Sequence, residues 1–144
     1  MPVEAFAKVL YKWDLTPFNP REIPESEALV HQQEQSLSAV ESALYECLTR
    51  GAVIKSCVFC NAVDFGQPLP RSKLFDAWSE EFGRTYGWPT KPCKFWSELK
   101  RLLGKRLTHT RPTIDATRTR MIQFADLKTC RTHWDQTQWV VEWQ

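Results

Sequence analysis

The sequence predicts a mainly α domain with a small β-hairpin. Three observations carry that expectation. Apolar residues recur at helical spacing in successive stretches, the last of these runs into residues that alternate, and prolines and glycines punctuate the joins. With 144 residues, 42% of them apolar, the chain is long enough for one domain with a core and an additional arm.

Taken in order, AFAKVLYKW suits a short helix that buries Phe6, Val9 and Leu10. DLTPFNPREIPES (residues 14–26) then places three prolines where no regular element survives, which marks a linker or extended arm. The stretch from residue 25 to residue 50 is helix-compatible, with Leu37, Val40, Leu44, Cys47 and Leu48 on one stripe. Ser38 and Glu41 have the spacing of a capping box, and Gly51 stands where the helix should stop.

AVIKSCVFC is too short and too branched for a helix and reads as a strand or buried extended segment. Gly66, Pro68 and Pro70 break the chain. Leu74, Phe75, Trp78 and Phe82 then define a second helix, ended by Gly83 or Gly87. A third helix spans residues 91–103, with Phe95, Trp96, Leu99, Leu102 and Leu103 on one face, Lys94, Ser97 and Arg101 on the other, and Gly104 as its stop. LTHTRPTIDATRTRMIQF follows as two strands turning near Asp115 and Ala116, with Arg118 and Arg120 on one face of the second. Helix, short strand, helix, tight turn, helix and hairpin is the order of a winged helix-turn-helix, here with an N-terminal helical or extended arm.

Charge separates these segments more sharply than the net value of +2 suggests. Residues 1–83 carry net −5, residues 84–131 net +9 and residues 132–144 net −2. Positive charge gathered on one helix and the ribbon after it is what a phosphate backbone selects, because neutralised phosphates release counterions. The residues expected to reach DNA are Lys94, Ser97 and Arg101, flanked by Lys91 and Lys100. Lys105 and Arg106 follow at the end of the helix, and His109, Arg111, Arg118 and Arg120 lie on the hairpin. The competing accounts are a solvated helix face and a charged edge strand that discourages aggregation.

Other chemistries find little support in the residues. Cys47, Cys57, Cys60, Cys93 and Cys130 are odd in number and irregularly spaced, so they read as reduced thiols of an intracellular protein. The CVFC pair, Cys57 and Cys60, lacks a second close pair for zinc and is expected to be a pair of core or edge thiols. No apolar run approaches the length of a membrane span, so the expectation is a soluble, cytoplasmic chain with no membrane partner. Trp78, Trp88 and Trp96 are expected in the core. Trp134, Trp139 and Trp143 in the acidic tail are expected to dock on the N-terminal arm or seal a subunit contact.

WDLTPFNPREIPESEAL with QSLSAVESALYECLTRG, then KLFDAWSEEFG, KFWSELKRLLG and FADLKTCRTHW, together resemble the C-terminal region of phage, prophage and plasmid primase-helicases of the virus-type AAA+ kind. The resemblance implies three parts. Residues 1–35 would be an arm continuing from a helicase core, residues 36–131 a winged helix-turn-helix domain, and residues 132–144 a Trp-rich tail. It further implies DNA as a partner, helicase and primase domains of a parent protein as neighbours, homo-oligomers formed through the parent helicase, and the cytoplasm of a bacterial host.

Enzymatic activity is not expected of this chain itself, and no cofactor or metal is expected. Gly104-Lys105 is followed by Arg106, and Leu99 stands where a phosphate-binding loop needs its first glycine. The six aspartates are scattered with no Asp-x-Asp pair to hold catalytic metal ions. The alternative function is a winged helix that mediates contacts between helicase subunits or with a replication partner.

Overall fold

A computed structural model of the chain describes residues 2–12, 26–56, 61–89 and 91–144. The proline-rich linker and the Cys57/Cys60 pair lie outside the described residues. The chain divides into two compact units, Met1–Gln33 and Glu34–Gln144.

In the first unit, helix α1 (Val3–Tyr11) forms where AFAKVLYKW predicts one, yet none of its residues is buried. Phe6, Val9 and Leu10 remain 54%, 45% and 43% exposed, so the apolar stripe expected to pack inward faces outward. Helix α2 (Glu27–Gln35) also buries nothing.

The helical stretch 25–50 is two helices. Helix α3 (Ala39–Arg50) starts afresh after residues 36–38, because Ser38 accepts the Glu41 N–H while the Glu41 carboxylate accepts the Ser38 N–H at 2.8 Å. This capping box satisfies amides that would otherwise lack partners. The helix ends at Gly51, whose φ of 81° is left-handed and strained for any residue with a Cβ. Strand β1 (Ala52–Ile54) follows and pairs antiparallel with β2 (Val63–Asp64).

Strand β3 (Pro68–Pro70) runs antiparallel to a later strand despite its two prolines. Leu69 lies opposite Ile122, and the Arg71 N–H donates to the Arg120 carbonyl at 2.9 Å. Residues 69 and 71 therefore turn their amides toward the neighbour, while Pro68 and Pro70 turn their missing donors away from it. Helix α4 (Arg71–Phe82) begins at once, and after the turn at residues 83–89 comes α5 (Pro92–Leu103), with proline in its first turn where no intrahelical donor is needed.

A 3-10 turn (Gly104–Arg106) leads into β4 (Leu107–Thr110). The ribbon continues through β5 (Thr113–Ile114) and β6 (Thr117–Arg118) to β7 (Met121–Phe124). Its tip is Asp115 and Ala116, both with positive φ, the geometry a two-residue hairpin turn requires. Strand β7 is central, bonded to β3 on one edge and β4 on the other. Helix α6 (Leu127–Thr137) follows, capped by Asp126 accepting the Thr129 N–H at 3.1 Å. The sequence reading assigned no element here, nor at β2 or β3.

The core of the second unit is aromatic. Trp78 is fully buried, with its ring edge-on to Phe95 at 5.8 Å and near Phe124 at 6.2 Å. Its indole N–H donates to the Val53 carbonyl at 2.9 Å, which ties α4 to β1 without an orphaned donor. Trp88 and Trp96 pack against Phe95 on the same side. The tail tryptophans gather on α3: Tyr45 has Trp134, Trp139 and Trp143 within 5.4–5.9 Å. Arg131 donates to the Leu48 carbonyl at 2.7 and 3.0 Å and lies 5.1 Å from the Trp143 ring, so it caps the C-terminus of α3 while holding the tail in place.

Candidate nucleic-acid interface

The amphipathic division of α5 is as its spacing predicts: Phe95, Trp96, Leu99, Leu102 and Leu103 are buried. The buried face sets the rotation of the helix and so fixes where its polar residues point. Two concave surfaces border the exposed side.

The larger is a cleft of about 720 Å³ between α5 and the base of the hairpin. Its α5 wall carries Cys93, Trp96, Ser97 and Lys100. The opposite wall carries His109, Thr110 and Arg111 with Arg120 and Met121, and Arg71 closes one end. Among the described residues, no acidic side chain lines it. Three elements separated in sequence thus converge their positive charge on one space, held apart by the three-stranded sheet below.

Burial first, and like charge second, act on two of the groups that meet there. Desolvation and the Arg120 charge push the Arg71 guanidinium below its usual range, and its planar head lies 4.5 Å from the Trp96 ring. Desolvation, then Arg71, then Lys100 hold the His109 imidazole below the ordinary histidine value. Cations that lower one another's proton affinity without a compensating carboxylate favour an anion between them.

The smaller surface, about 440 Å³, adjoins the cleft along α5 and is lined by Cys93, Lys94, Ser97, Glu98 and Arg101. Here the charges are mixed. Arg101 reaches Glu41 at 3.2 Å and Glu98 at 3.9 Å, and the Ser38 hydroxyl donates to Glu98. The three residues expected to lead the contact therefore part company. Ser97 borders both surfaces, Lys94 borders the smaller one, and Arg101 is engaged with two acids while its side chain stays 62% exposed.

Lys100, His109, Arg111 and Arg120 are brought together in the cleft. Lys91, Lys105 and Arg118 are exposed, and Arg106 is half-buried; none of these four lines either surface. Arg71 is the cleft residue that charge counting missed, because it falls in the acidic first part of the chain. Its position directly after an X-Pro strand and at the first turn of a helix is the signal that places it at a corner.

Two buried thiols, Cys47 and Cys130, are held protonated. Burial pushes Cys47 far up, and burial followed by the Asp126 charge raises Cys130 to about 11. Among the described residues, no helix is long and apolar enough to cross a membrane. Comparison of the chain with family models, with curated proteins and with solved structures finds no match in any of the three.

Proposed function

We propose that residues 36–131, within the compact unit Glu34–Gln144, act as a winged helix-turn-helix module that binds DNA. The module would serve a phage- or plasmid-type replication primase-helicase by positioning DNA for a motor and a primase elsewhere in the parent protein. In this reading α5 is the recognition helix and the β4–β7 ribbon is the wing. The observation that carries it is the acid-free convergence of Arg71, Lys100, His109, Arg111 and Arg120 on the cleft between those two elements. The order of elements and the resemblance of the quoted segments support the assignment to a replication protein.

Salt titration tests the reading. Phosphate binding by several cations weakens by orders of magnitude between about 50 and 200 mM salt. Fluorescence anisotropy with labelled DNA is expected to show that loss, and binding indifferent to salt would remove the cleft from the interface.

A second reading has its own observation. Helix α1 exposes Val3, Phe6, Val9 and Leu10, an apolar stripe suited to a protein partner such as another subunit of the parent assembly. Contacts made this way would persist at high salt.

A further inference from the structure

The cleft holds more than a backbone phosphate needs. In an intact duplex the phosphates form an outward ridge and the bases offer only their edges, in the grooves. A ridge of that kind calls for a cationic surface, not for an apolar wall beside it. Here an open cleft of about 720 Å³ leaves room for a base beside its phosphate.

The lining is divided in the same sense. Arg71, Lys100 and Arg120 supply cations. Beside them Cys93, the edge of Trp96 and Met121 supply an apolar and polarizable patch. Phosphate alone makes no use of such a patch; a nucleotide whose base is free of its partner does.

Resting on the DNA-binding reading above, we infer that this cleft seats one nucleotide unit of a single DNA strand, with phosphate on Arg71, Lys100 and Arg120 and the base against Met121, Cys93 and the edge of Trp96. The module then engages unpaired DNA in preference to an intact duplex. The Arg71 head is held against Trp96 at 4.5 Å, so one cation is positioned before the strand arrives and loses little freedom on binding.

The test uses the full chain at about 50 mM salt, with a labelled thymidine oligonucleotide and a blunt duplex of equal phosphate count. The single strand is expected to bind at least about tenfold tighter, about 1.4 kcal/mol. Thymidine monophosphate is expected to displace it at lower concentration than inorganic phosphate does. Arg120→Gln, at an exposed position, and Arg71→Gln are each expected to weaken single-strand binding about tenfold, while Lys128→Gln, exposed on α6 and outside the cleft, changes it little. Circular dichroism checks that each variant folds. Duplex binding as tight as single-strand binding, or phosphate competing as well as the nucleotide, overturns the inference and leaves the DNA-binding reading standing. Binding of neither DNA overturns both.

Discussion

The Arg71 guanidinium lies 4.5 Å from the centre of the Trp96 ring, joining the first turn of α4 to the buried face of α5. The contact fixes a cation in the lining of the cleft and covers a face of the indole. Arg71→Ala is expected to lower stability by about 0.5–1 kcal/mol, the size of a partly exposed cation–π contact, and to weaken DNA binding more than that loss accounts for. Thermal unfolding and anisotropy on the same variant separate the two effects. Arg71→Lys keeps the charge but loses the planar stack, so it should recover only part of the binding.

Affinity for DNA should rise as pH falls from neutrality toward 5.5, with the change centred near or below the ordinary histidine value of about 6.5. His109 on β4 faces Arg71 from α4 and Lys100 from α5, shares the cleft with Arg111 and Arg120, and sits 6.5 Å from the Trp96 ring. Its folded-state value is depressed, so the unfolded chain takes up that proton more readily, and stability declines as pH drops through the histidine range. A bound phosphate offsets the repelling cations and draws the proton back. His109→Gln should flatten the pH dependence of binding, and an unchanged profile in that variant would place the effect elsewhere.

Charge reversal on α5 should distinguish two residues that sequence alone groups together. Arg101→Glu sets a third carboxylate beside Glu41 and Glu98 and weakens the carboxylate that completes the α3 cap. A stability loss of about 0.5–1 kcal/mol is expected in urea unfolding. No ion pair holds Lys94 among the described residues, and Lys94→Glu should leave the urea midpoint in place.

Arg131 holds two carbonyls at the end of α3 and the ring of Trp143. Arg131→Ala removes both and is expected to cost about 1.5–3 kcal/mol, the range for hydrogen bonds from a charged donor. Release of Trp143 should appear as a shift in tryptophan emission before global unfolding.

Gly51→Ala places a Cβ at a φ of 81° and within 3.4 Å of the Leu127 side chain. A loss of about 1–2 kcal/mol is expected from the left-handed backbone, measurable as a lower melting temperature with helix content retained.

Local chemistry was legible wherever the chain decides its own geometry. The Ser38/Glu41 cap, the Gly51 stop, the apolar faces of α4 and α5, and the turn at Asp115 and Ala116 all follow from residues within a few positions of one another. Elements that depend on a distant partner were not legible. Strand β3 is two prolines around one leucine, and it exists because β7 pairs with it at Leu69 and the neighbouring Arg120 carbonyl accepts the Arg71 N–H. Helix α6 buries only Cys130 and Trp134, too thin a stripe to announce a helix, although Asp126 and Thr129 have cap spacing. The site was half visible: hairpin and helix cations could be read as neighbours, but one of Arg101's two acids, Glu41, comes from 60 residues away and Arg71 arrives from the opposite side of the sheet order.

The position of β7 in the middle of its sheet has a mechanical consequence. Bonded along both edges, it should exchange its amide protons late, whereas residues 113–118, every one exposed, should exchange early. The jaw that bears Met121 is thus stiff at its root and compliant at its tip, which lets the ribbon follow a ligand's contour without loosening the anchor beneath it.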